Sequence, residues 1–163
     1  LGRKNYKLTG GANSLGVDFD DPASHDDIHV SATMHIPVNV PVKMVINSQD
    51  VIHDVGLSHF RLKMDAVPGI PTTQWFTPKI TTAAMKLKTG NPNFTYEISC
   101  DQMCGVGHFS MRGVIIVETM EEYKKWLSEQ KPEYFTVHPE KAPPVADTGN
   151  AVKPVVAVLT KNK

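Results

Sequence analysis

Between residues 28 and 118 apolar side chains recur at every second position, in short runs closed by Pro, Gly or Asn. That period buries one face of a strand and no continuous face of a helix, so it confines most of this chain to sheet architectures. Ile28, Val30, Ala32, Met34 and Ile36 alternate with His29, Ser31, Thr33 and His35, and Pro37 ends the run. Residues 42–47 form a second expected strand, with Pro41 at its start, where a missing N–H does little harm. Leu62, Met64 and Ala66 alternate before the Pro68-Gly69 turn. Residues 72–77 are strand-like and carry Trp75 and Phe76; Phe94, Tyr96 and Ile98 alternate into Cys100. The run 113–118, with its VIIV core, reads as a strand buried on both faces.

Two helices interrupt this pattern. Residues 81–88 form a short one before the Gly90-Asn91-Pro92 breaker. Thr119 and Glu122 have the spacing of a capping box. Met120, Tyr123, Trp126 and Leu127 then share one helical face, and Pro132 stops the helix, which spans 119–131. Beyond Pro139 the composition shifts to Lys, Pro, Ala and Val without period, and 140–163 reads as a flexible tail. The expected organisation is a loop-rich N-terminal segment (1–27), a strand-built domain (28–132) and a tail (133–163). Many short strands separated by turns indicate an all-β fold, a Greek-key β-sandwich.

Composition narrows the function. Seventeen basic and seventeen acidic side chains balance, and no long Lys/Arg run occurs, which argues against a nucleic-acid surface. No apolar stretch approaches the roughly 20 residues that span a bilayer. Two cysteines in 163 residues do not make a disulfide scaffold. The chain starts at Leu1 rather than Met, and further sequence upstream is expected. Asp18, Asp20, Asp21, Asp26 and Asp27 crowd the end of the first segment. Such a run is first of all a solvated loop, and second a docking patch for a basic partner.

The chemistry is concentrated in CDQMCGVGHFSM, residues 100–111. Cys100, Cys104, His108 and Met111 follow one another at spacings of four, four and three, in a loop between two expected strands. Gly105 and Gly107 allow the tight path that would bring the four side chains together. Singly, each has an ordinary explanation: a core methionine, a structural histidine, a buried thiol or a disulfide. Together, thiolate, imidazole and thioether form a soft donor set suited to a metal. Zinc gains little from a thioether. Copper held by His, Cys and a weak Met is the arrangement of a cupredoxin loop, but a mononuclear site there uses one cysteine. A second thiolate lets both sulfurs bridge two coppers, each then needing its own terminal histidine. His25, His29, His35, His53, His59 and His138 are the candidates for the second one. His53 is preferred, because it follows the second strand where the period is lost and a loop is expected to begin; His59 is the nearest rival.

Three stretches carry a family resemblance: DVIH ending at His53, KMDAVPG at 63–69, and C-x-x-x-C-G-x-x-H-x-x-M at 100–111. In this order and separation they resemble subunit II of cytochrome c oxidase, specifically its soluble copper A domain, over roughly 28–130. The resemblance implies a cupredoxin-like sandwich holding a binuclear copper centre. By family pattern, Cys100 and Cys104 bridge both coppers, His53 and a weak Met111 complete one, and His108 with the backbone carbonyl of Gln102 completes the other. It also implies a partnership with subunit I and other oxidase subunits, cytochrome c as electron donor, and electron transfer to haem in subunit I for oxygen reduction coupled to proton pumping. Anchoring by upstream transmembrane helices follows from the same likeness. In a bacterium the copper domain would face the periplasm from the inner membrane; in a mitochondrion it would face the intermembrane space.

Two departures from the family pattern stand out. Where the family commonly has a Glu that helps hold magnesium at the subunit I boundary, this chain has Gln102, whose neutral amide is a poorer magnesium ligand. The aromatic-rich strand that receives the electron has no counterpart in these residues, and neither Trp75 nor Trp126 takes its role. The 100–111 pattern alone is shared with nitrous oxide reductase, which would carry a large propeller on the same chain. A stand-alone copper protein with exchangeable ligands is the third reading.

Overall fold

The computed structural model describes residues 2–11 and 13–141. The described residues divide into two compact units, one formed by the residues up to His29 together with 125–141, the other running from Val30 to Lys124.

The larger unit is built from strands. Its main sheet has five: β1 (Thr33–Pro37), β3 (His53–Leu57), β4 (Leu62–Ala66), β6 (Tyr96–Ser99) and β7 (Arg112–Glu118), in the order β1-β7-β6-β3-β4. β2 (Val42–Ile46) and β5 (Thr72–Phe76) pair separately as an antiparallel ribbon. β1 runs parallel to β7, while β7–β6, β6–β3 and β3–β4 are antiparallel. The core is the set of alternate residues that the period-two pattern marks: Met34 and Ile36, Val42 and Met44, Tyr96 and Ile98, Ile115 and Val117 are all buried. The mostly β-sheet architecture is that of the expected cupredoxin-like sandwich.

Several boundaries differ from expectation, for local reasons. The first strand begins at Thr33, not Ile28. Ala32 adopts φ 62°, which breaks the extended run, and its carbonyl accepts the Val114 N–H at 2.7 Å. β7 is less enclosed than its VIIV core suggests: Ile115 and Val117 are fully buried, whereas Val114 and Ile116 are only half-buried. His35 Nδ1 lies 2.9 Å from Glu118 Oε1, so a histidine–carboxylate hydrogen bond across β1 and β7 sits beside the parallel pairing.

Helix α1 (Thr82–Thr89) starts on the Thr81 hydroxyl, which accepts from the Ala84 N–H, and ends at Gly90 in the left-handed region at φ 66°. Helix α2 (Met120–Glu129) has the expected capping box: Glu122 accepts from the Thr119 N–H at 2.9 Å, and the Thr119 hydroxyl accepts from the Glu122 N–H. Met120, Tyr123, Trp126 and Leu127 are its buried or half-buried residues, as the helical spacing predicts.

The smaller unit corrects two expectations. In its first loop Tyr6–Leu8 forms a 3-10 turn capped by the Asn5 side chain. The acidic run is largely engaged within its own unit. Arg3 pairs with Asp18 at 3.3 Å and with Asp21 at 3.6 Å, and Asp27 accepts from the Gly2 N–H at 3.0 Å. Finally, residues 133–141, expected to be flexible tail, form helix α3 (Glu133–Val137) and a 3-10 turn, Pro139–Lys141. Tyr134 is buried there, stacked on His25 at 3.9 Å between ring centroids. The remaining tail, 142–163, lies outside the described residues. Among the described residues no helix is long and apolar enough to cross a membrane.

Candidate metal centre

All six residues expected to bind metal meet in one place. β6 delivers Cys100 at its end and β7 begins after Met111; the Cys100 N–H donates to the Met111 carbonyl at 3.0 Å and ties the loop shut. Inside the loop Gly105 takes φ 126°, a conformation that side chains rarely adopt. Gly107, at φ −82°, is in a region open to any residue, so only one of the two glycines is required by the backbone. His108–Ser110 forms a 3-10 turn that brings His108 back toward Cys104.

The two cysteines form no disulfide, and their Sγ atoms lie 3.7 Å apart. His53 Nδ1 lies 3.9 Å from Cys100 Sγ, and His108 Nδ1 lies 3.6 Å from Cys104 Sγ. The Gln102 carbonyl oxygen is 3.2 Å from Cys100 Sγ, and Met111 Sδ is 3.3 Å from Cys104 Sγ. The ligand atoms of His53, Cys100 and Cys104 all lie within 4.8 Å of one another. Among the described residues this is the one group of three or more His, Cys, Asp or Glu side chains placed to hold a metal ion.

His53 does not begin a loop, as its surroundings suggested. It opens β3, whose Gly56 pairs with Ser99 of β6. This pairing brings a residue 47 positions away beside Cys100. The other candidate histidines are engaged elsewhere. His25 packs on Tyr134 and His35 pairs with Glu118; His29 lies 3.9 Å from Glu133, and His138 lies 3.4 Å from Glu140. His59, the rival, stands edge-on to Phe94 and Tyr96 in an aromatic cluster.

A residue not singled out from the sequence orients His53. Asp50 Oδ1 lies 2.7 Å from His53 Nε2 and directs Nδ1 toward the sulfurs. The signal is present in the DVIH stretch, but a carboxylate three residues upstream is too common to single out. The same hydrogen bond holds the Asp50 carboxyl down to about 2. Burial disfavours charge on His53, but Asp50 and Cys100 outweigh it and raise its proton affinity. Burial likewise opposes a thiolate at Cys100. The backbone amides of Asp54 and Gln102, together with His53 and His108, override it and bring the thiol down to about 7. The site therefore eases loss of the Cys100 proton before any metal arrives.

The donors are two sulfurs, two imidazole nitrogens, a thioether and a carbonyl, gathered within a few ångströms of the two cysteines. That soft set fits copper. The loop's outer surface is apolar and exposed: Met103, Val106 and Phe109 are 77%, 97% and 79% accessible.

Known proteins resemble this chain over the same region. The sequence pattern of the family described as cytochrome c oxidase subunit II, periplasmic domain, matches residues 16–120. The alternative cytochrome c oxidase subunit 2 of Bradyrhizobium diazoefficiens is 36% identical over 132 residues, 80% of this chain and 43% of that one. Cytochrome c oxidase subunit 2 of Thermostichus vulcanus is 37% identical over 102 residues, 63% of this chain and 27% of its own length. The chain thus spans less than half the length of these curated relatives. The crystal structure of the periplasmic domain of subunit II of cytochrome oxidase (CoxB) of Bradyrhizobium japonicum superposes with a TM-score of 0.50 at 26% identity, covering 68% of this chain and 66% of that one.

Proposed function

The chain belongs to the cytochrome c oxidase subunit II family, matching its periplasmic domain, and from that premise we propose that it is the electron-accepting domain of a haem–copper oxidase. It takes electrons from cytochrome c at a binuclear copper centre and passes them to haem in subunit I, where oxygen is reduced and protons are pumped. The observation that carries this reading is the convergence of His53, Cys100, Gln102, Cys104, His108 and Met111 around the two sulfurs.

When bound, a copper pair supplies a one-electron carrier whose charge is shared between two ions, with little geometric change on reduction. The residues of this chain do the rest. By the family pattern, Cys100 and Cys104 would be shared by both ions, His53 and Met111 would complete one, and His108 and the Gln102 carbonyl would complete the other. Asp50 fixes the His53 ring. The amides of Asp54 and Gln102 stabilise negative charge on Cys100. With these six donors around it, a copper pair would have no position left for substrate, which would suit transfer of electrons and not bond-making. Gln102 offers a neutral amide where a carboxylate would serve magnesium, so this domain contributes a poor ligand to any magnesium at the subunit I boundary. The exposed Met103, Val106 and Phe109 suit contact with another oxidase subunit. The domain lies on the periplasmic side of a bacterial inner membrane, held there by membrane helices of the longer protein.

Copper stoichiometry combined with an electron paramagnetic resonance spectrum of the oxidised protein tests the reading. Two coppers per chain and hyperfine structure from two nuclei sharing one electron are expected. A single copper with hyperfine structure from one nucleus would replace this reading with that of a mononuclear cupredoxin.

A further inference from the structure

A glycine in β3 carries information that the ligand set does not. Gly56 pairs with Ser99 of β6, just before the first cysteine. A Cβ built on Gly56 would stand 2.0 Å from Asp101 Oδ2 and 2.5 Å from Asp101 Cγ. Gly56 is not among the glycines with positive φ, so its backbone does not require glycine. A side chain there would have to displace the Asp101 carboxylate, which lies where its Cβ would be. The same carboxylate is held from a second direction, since the Ser99 hydroxyl donates to Asp101 Oδ1 at 2.9 Å. Asp101 sits between Cys100 and Gln102, two of the donors, and Gln102 O is 3.2 Å from Cys100 Sγ.

We propose that Gly56 and Asp101 form a positioning lock for the metal centre: the bare backbone of β3 receives the Asp101 carboxylate and thereby sets the Cys100 sulfur and the Gln102 carbonyl relative to His53, which β3 also carries. The inference rests on the copper reading above. An aspartate has two side-chain torsions. Displacing its carboxylate from Gly56 therefore means rotating χ1 or moving the 100–102 backbone, and either breaks the Ser99 bond. Partners that orient ligands commonly influence metal affinity about 10- to 100-fold when removed.

The test is a double-mutant cycle on the full chain loaded with Cu(II), read by copper affinity, hyperfine structure and reduction potential. Gly56→Ala alone should weaken copper binding about tenfold or more and alter the hyperfine pattern. Asp101→Ala should shift the potential further than Asp101→Asn, which loses the same charge but keeps the shape and the acceptor for Ser99. In the Asp101→Ala background, adding Gly56→Ala should change nothing further, because the atoms it meets are gone. Equal losses from Gly56→Ala in both backgrounds, or none in either, would overturn the lock while leaving the copper centre in place. Should Gly56→Ala not fold, as judged by circular dichroism, the contrast between Asp101→Ala and Asp101→Asn decides; identical potentials for these two overturn the proposal. An unmodified chain that binds no copper pair would overturn the functional reading and this inference with it.

Discussion

Cys100 Sγ and Cys104 Sγ stand 3.7 Å apart, well beyond the roughly 2.05 Å of a disulfide bond, and each faces its own imidazole. The two sulfurs are therefore equivalent in kind, and neither is a spare. Replacing either by serine should abolish the binuclear centre and not merely weaken it. Metal analysis and the visible absorption of Cys100→Ser and Cys104→Ser check this; two coppers retained in either variant would mean that one sulfur does not bridge.

Met111 is expected to tune more than to hold. Its Sδ lies 3.3 Å from Cys104 Sγ, and a thioether is a weak axial ligand. Met111→Leu should keep both coppers and shift the reduction potential, measured by redox titration. Loss of a copper ion from this variant would show a stronger bond than the donor type suggests.

Gln102 should serve through its backbone. Its backbone carbonyl lies 3.2 Å from the Cys100 sulfur, and the residue is exposed. Gln102→Ala should therefore retain the absorption and hyperfine structure of the unmodified chain. A variant spectrum typical of one copper would assign the side chain a role at the centre.

Acid should loosen the smaller unit through Asp21. The amides of Arg3 and Ala23 hold its carboxyl below the ordinary 3.8, with the Arg3 charge adding to them. A carboxyl depressed on folding contributes stability that is fully present above its unfolded value and lost as the pH falls through the lower native one. Asp21→Asn should thus reduce stability at neutral pH, and the difference from the unmodified chain should shrink below pH 3.8 as the unmodified chain loses the charge that the variant lacks. Unfolding midpoints followed across that range test it. A difference that stays constant with pH would mean that the charge of Asp21 is not the cause.

The local parts of this protein are legible in its sequence. Five of the six donors lie within twelve residues, and their types restrict the metal without reference to the fold. β4 spans the Leu62–Ala66 alternation with no adjustment, and the Thr119–Glu122 capping box places the start of α2. These succeed because the hydrogen bonds and the period involved are between near neighbours in sequence.

The departures are non-local. The period that suggests a strand from Ile28 is overridden by the turn at Ala32, which is tied to Val114 of β7. The residues from Glu133 look like tail because their composition is mixed. They are ordered by Tyr134 stacking on His25 and by the Glu133 N–H donating to the Asp27 carbonyl at 2.9 Å, partners more than a hundred positions away. The acidic run reads as solvated because Arg3, which engages two of its members, lies in another part of the sequence.

Residue types and their spacing suffice for the donor chemistry, the strand-dominated class and the loop that carries both cysteines. Strand pairing was needed to establish that His53 and not His59 stands beside the sulfurs, that Asp50 aims it, and that Gly56 is bare so that Asp101 can lie there. The physical reason is the same in each case. Donor type is a property of single side chains, whereas placing atoms within a few ångströms across 47 residues depends on which strands pair and in what register.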